Sequence, residues 1–201
     1  MRHSRWRGPG LAVAAVVAAV AVASAVAVAS AVAAQEDQYG FMPDGGRNIL
    51  SSLLAGLEDA VVAEILGRAA GAADWAAWAA ARDEGLGATA LDTFAGYAEL
   101  NLPLAEVRLA ELSGAGFSGE GLAEVLPPDG KDLAISQCQF CHSLFSGYLM
   151  HDRDLAGWEG AFKAPFHTEI PMSEVERKTF AAYSALNMPL AYEDVPPELR
   201  F

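Results

Sequence analysis

Two cysteines, four histidines and a minority of basic side chains are all that 201 residues offer in soft or cationic chemistry. Cys138 and Cys141 have no second cysteine pair, so a disulfide-rich scaffold and a four-cysteine zinc site are excluded. Thirteen Lys and Arg against 26 Asp and Glu give a net charge of −13, which repels phosphate backbones and argues against nucleic acid. No strand-like alternation is evident. No Ser-His-Asp spacing, phosphate loop or carboxylate dyad stands out, so no residue is assigned a catalytic role.

Three of the basic residues, Arg2, Arg5 and Arg7, precede an uncharged Ala- and Val-rich run from Leu11 to Ala34. A positive n-region, an apolar stretch and Ala31-Val32-Ala33 describe a secretory signal peptide. The run is also long enough for an uncleaved membrane anchor. Either way residues 1–34 are a targeting segment, and the remainder is expected outside the cytoplasm, in the periplasm. The membrane is then touched only through this segment. Without it, ten basic residues face 26 acidic ones, a charge of −16. Such a charge favours solubility and can steer the protein to a basic docking surface.

The two cysteines lie three apart and His142 follows at once: Cys138-Gln139-Phe140-Cys141-His142. Cys-x-x-Cys-His is the haem c attachment sequence. Its spacing lets two thiols add to the vinyl groups on one porphyrin edge and sets the histidine under the iron. One covalent haem is therefore expected, with His142 as proximal ligand. A thioredoxin-like reading needs alternating strands and helices, zinc needs two further ligands, and a plain disulfide leaves His142 without a reason.

Downstream stand Ser143-Leu144, Arg153, Gly157-Trp158-Glu159, Pro171-Met172-Ser173 with Glu176, and Tyr183. With the haem motif these residues resemble a class I c-type cytochrome domain. They are most similar to the haem subunits of periplasmic molybdenum oxidoreductases of the sulfite dehydrogenase kind. The resemblance covers roughly 55 residues, and only the haem motif is specific in itself. It implies a single-electron relay whose partner is a larger periplasmic dehydrogenase. In the family pattern the distal methionine lies about seven residues after the Trp, a position held here by Pro165, which cannot bind iron. His167 is the first candidate for the distal ligand. Met172 and Met188 are alternatives, Met150 and His151 lie further back, and an open position stays possible. An open iron would favour a haem enzyme or a sensor of gas or peroxide.

Locally, Asp129-Gly130 opens a helix over Lys131 to Phe140. Ser173 with Glu176 forms a capping box for a helix to about Leu186, its apolar side made by Val175, Phe180, Tyr183 and Leu186. Asn187 and Pro189 stop it. Residues 94–105 (FAGYAELNLPLA) and 180–191 (FAAYSALNMPLA) agree at eight of twelve positions at an offset of 86. Pro43-Asp44-Gly45 matches Pro128-Asp129-Gly130 at 85, and Glu111-Leu112 matches Glu198-Leu199 at 87. The chain thus reads as all-α, with two tandem cytochrome c-like lobes. Residues 38–112 form a degenerate copy without haem, 113–121 a Gly-rich linker, and 122–201 the haem domain. At offset 85 the haem ligands fall on Leu53, Gly56 and Leu57, and Trp75 and Trp78 are expected to help fill the missing haem's space.

Overall fold

The computed structural model describes residues 38–117 and 119–201, so the expected export segment lies outside the described residues. Among the described residues every regular element is helical, and no helix is long and apolar enough to cross a membrane. The chain is all-α. It divides into residues 1–41 and a compact unit, residues 42–201, which holds both copies of the repeat.

The first copy runs through α1 (Gly46–Leu54), α2 (Asp59–Leu66), α3 (Ala72–Arg82) and α4 (Ala88–Asn101). Two further helices follow, α5 (Glu106–Ala115) and α6 (Gly119–Val125). The second copy has α7 (Gly130–Gln137), a 3-10 turn at Cys138–Phe140 and a π-helical turn at Phe145–Leu149. It continues with α8 (Leu155–Ala161) and α9 (Glu174–Asn187) and ends in 3-10 turns at Tyr192–Asp194 and Pro197–Leu199. The predicted Ser173–Glu176 capping box starts α9, and α7 begins at the expected Asp129-Gly130, where Asp129 and Asp132 form a second capping box, but it ends at Gln137 and not Phe140.

The expected 113–121 linker is largely helical. Ser113 to Ala115 finish α5, Gly116 ends it at φ 97°, and α6 begins at Gly119. Core residues flank the segment, Leu112 before it and Leu122 after it, and Phe117 within it packs against the same core. On α9 the apolar side is narrower than the periodicity suggested. Phe180 and Tyr183 are buried, whereas Val175 and Leu186 stand exposed at its two ends.

The halves are interlocked by bonds that repeat in reverse. Asn101 Nδ2 donates to Thr179 Oγ1 and Asn187 Nδ2 to Thr93 Oγ1, each at 3.0 Å. Tyr97 Oη donates to the Pro127 carbonyl and Tyr183 Oη to that of Pro43, each at 2.7 Å. All four donors lie on α4 or α9, which cross with Gly96 facing Ala182. Asn187 thus does more than stop a helix: it bridges to the other copy.

The starts of α1 and α7 share one carboxylate. Asp129 Oδ1 accepts from the backbone N–H groups of Lys131 and Asp132, at 3.0 and 3.1 Å, while Oδ2 accepts from that of Arg47 at 3.0 Å. Helix N-termini carry unpaired N–H groups and partial positive charge, so one acceptor serves both. The N-cap of α1, Gly45, has no side chain, and a Cβ there would overlap the Asp129 carboxylate. Burial and the neighbouring Asp132 carboxylate push Asp129 up to about 6, against its N–H donors and Arg47.

Candidate functional site

Four pieces of the second half wall a cavity of about 750 Å³. The first is the strap Cys138 to His142, where α7 tightens into a 3-10 turn. Cys138 is half-buried, Cys141 is exposed, and the two are not bridged. Burial pushes the Cys138 thiol up to about 12, so it is held as S–H. The His142 ring lies against Gly147 in the π-helical turn, where a Cβ would overlap the imidazole. Nδ1 of His142 faces the Ser143 carbonyl at 3.2 Å, and because a carbonyl only accepts, this contact suits the tautomer with the proton on Nδ1.

The second piece is Tyr148, fully buried, its hydroxyl 2.9 Å from Ser184 Oγ. Burial pushes its pKa far above the ordinary tyrosine value, which keeps the hydroxyl neutral. The third is α8. Asp154 caps it by accepting from Gly157 N at 2.8 Å, which directs Trp158 inward. Trp158 is buried, with Arg153 over its ring at 5.4 Å and its Nε1–H without a hydrogen-bond partner. Phe162 and Phe180 complete an aromatic wall, their rings 5.5 Å apart.

The fourth piece is the segment 162–173, between α8 and α9, which carries Phe166, His167 and Ile170 along the cavity. Nδ1 of His167 faces the Ala161 carbonyl at 3.0 Å, which suits the same tautomer. The His142 and His167 rings meet edge-on, with centroids 6.5 Å apart and planes at 62°. The two alternative ligands sit elsewhere: Met172 and Met188 are buried, and neither lines this cavity. His151 packs edge-on to Trp158, at 6.4 Å, and its pKa is held below the ordinary histidine value chiefly by burial and then by Arg153. Among the described residues, no three His, Cys, Asp or Glu side chains gather as a set for a bare metal ion.

The first half repeats the wall but has no strap. Trp75, Trp78 and Phe94 form an aromatic trio, and Arg68 stands over Trp75 at 4.3 Å as Arg153 stands over Trp158. Trp75 and Trp78 are thus counterparts of Trp158 and Phe162. Gly46 and Gly130 both abut a tyrosine, Tyr97 and Tyr183, which sets the helix register at 84 and not 85. The strap residues Cys138, Cys141 and His142 therefore answer to Leu54, Leu57 and Glu58. Leu54 is buried and Leu57 packs against the same core, so aliphatic side chains fill the space that is hollow in the second half.

Gly147, Tyr148, Phe162 and Phe180 escape a motif-based reading. Only Phe180 had a signal, its identity with Phe94 in the repeat. No family model, no curated protein and no solved structure matches this chain.

Proposed function

We propose that this protein is an exported monohaem c-type cytochrome that relays single electrons for a larger periplasmic oxidoreductase. The observation that carries the reading is a pair of imidazole rings, His142 and His167, with centroids 6.5 Å apart on the wall of an aromatic cavity that also bears the Cys-x-x-Cys-His strap. Metal–imidazole bonds are about 2 Å long, so two imidazoles on one metal have ring centroids about 6 Å apart once the ring radii are added. The observed 6.5 Å fits that span. The cavity volume lies within the range of about 300–1,000 Å³ usual for cofactor sites.

In this reading the Cys138 and Cys141 thiols would hold the haem as thioethers to its two vinyl groups, each S–H and C=C π bond being exchanged for a C–S and a C–H bond with no net oxidation. His142 and His167 would each supply a nitrogen to hold the haem iron. A haem held this way supplies a one-electron iron couple at a potential lower than that given by His and Met. Phe162, Phe180, Trp158 and Tyr148 exclude water from the buried side, which keeps the local dielectric low. The acidic surface suits a basic docking face on the partner, where the substrate chemistry resides.

The test is the absorption spectrum of protein matured in a periplasm, alone and as His167→Ala. A low-spin spectrum that turns high-spin in the variant is expected, with haem mass retained. Cys138→Ser together with Cys141→Ser abolishes the covalent haem mass. A wild-type protein of polypeptide mass alone ends the cytochrome reading. A wild-type spectrum already high-spin, with rapid carbon monoxide binding, supports a gas- or peroxide-binding haem protein instead.

A further inference from the structure

If His167 is a ligand, something must hold its loop over the cavity. Most backbone hydrogen bonds of segment 162–173 are internal turns, such as His167 N to the Ala164 carbonyl at 2.9 Å and Met172 N to that of Ile170 at 2.7 Å. Turns of this kind shape a loop without anchoring it. The anchor comes from α9. Arg177 Nη2 donates to the carbonyls of Thr168, at 3.0 Å, and Ile170, at 3.1 Å, and Nε donates to that of Met172 at 3.2 Å. Its guanidinium also lies over the Phe162 ring, 5.1 Å from the centroid. A rigid fork with several donors can hold three carbonyls in one arrangement, which a lysine cannot.

The internal repeat acts as a control. At offset 86 Arg177 answers to Leu91, which packs against the apolar core of the first half. There α3 and α4 are joined by residues 83–87, and there is no histidine to present. The arginine occurs in the copy that has a long ligand-bearing loop, and aliphatic packing occurs in the copy that lacks one. We propose that Arg177 is the positioning residue for His167, clamping the 162–173 loop so that the imidazole stays opposite His142. This rests on the haem reading above and assigns a residue outside the motif to the control of axial ligation.

The experiment compares wild type, Arg177→Leu and Arg177→Lys, all matured in the periplasm, by intact mass, absorption spectrum and carbon monoxide binding rate. Arg177→Leu is expected to keep the covalent haem mass while its low-spin fraction falls. Carbon monoxide should bind about tenfold faster, the effect of losing roughly one charge-assisted hydrogen bond's worth of clamping. Added imidazole should restore the low-spin spectrum, which a collapsed pocket would not allow. Arg177→Lys is expected between the two, and it decides the matter on the same readings should the leucine variant fail to accumulate. Variants with the wild-type spectrum and carbon monoxide rate overturn this proposal and leave the cytochrome reading standing. Wild-type protein without haem mass overturns both.

Discussion

Replacing Asp129 by Asn tests the shared cap that starts both α1 and α7. In the native protein burial and Asp132 raise the Asp129 carboxyl from 3.8 to about 6. The folded state therefore binds this proton more tightly than the unfolded state between those values. Stability from this group is fully present below about pH 4 and is lost as pH rises through 6. A shift of about two pH units corresponds to about 3 kcal/mol, at about 1.4 kcal/mol for each. Asparagine keeps an oxygen for the Lys131 and Asp132 N–H groups but turns an N–H donor towards Arg47 N, a cost of about 1–3 kcal/mol that does not change with pH. Urea unfolding followed by far-UV circular dichroism at pH 4 to 7 gives both curves. The stability advantage of wild type over Asp129→Asn should shrink by about 3 kcal/mol across that range. A constant difference would show that Asp129 does not titrate there. An advantage that grows with pH would mean that the three N–H donors and the two helix termini outweigh burial, and the reasoning would be refuted.

The close approaches of Gly46 to Tyr97 and Gly130 to Tyr183 leave no room for a Cβ. Gly46→Ala and Gly130→Ala should each destabilise by about 1–3 kcal/mol, and Gly160→Ala, where a Cβ meets nothing within 4 Å, should be neutral or stabilising by up to about 1 kcal/mol. Thermal melts of the three variants check this, and equal losses at Gly46 and Gly160 would contradict it. Tyr97→Phe and Tyr183→Phe each remove one hydroxyl bond between the halves and should each cost about 1 kcal/mol. A silent member of this pair in denaturant unfolding would break the equivalence of the two contacts.

Much of the local structure was legible in the chain because it rests on short-range chemistry. Asp129 and Ser173 announce helix starts since their side chains accept from N–H groups within three residues, and both helices begin there. The Cys-x-x-Cys-His spacing and the duplicated FA-x-Y segments are likewise patterns along the sequence. The glycines of 113–121 mark a break between two helices, and only the structure shows how much of that stretch the helices on either side take up.

What depends on two distant pieces of chain meeting could not be read that way. Nothing in the order of residues says that Tyr183 reaches the Pro43 carbonyl, or that one carboxylate caps two helices 84 positions apart. The choice among His167, Met172 and Met188 was equally open in sequence, since all three lie near the expected ligand position. Packing separates them: Met172 and Met188 are buried and do not line the cavity, while His167 does, its ring centroid 6.5 Å from that of His142. Side-chain chemistry sets what a residue can do, and the direction in which the tertiary fold points it sets which partner it meets.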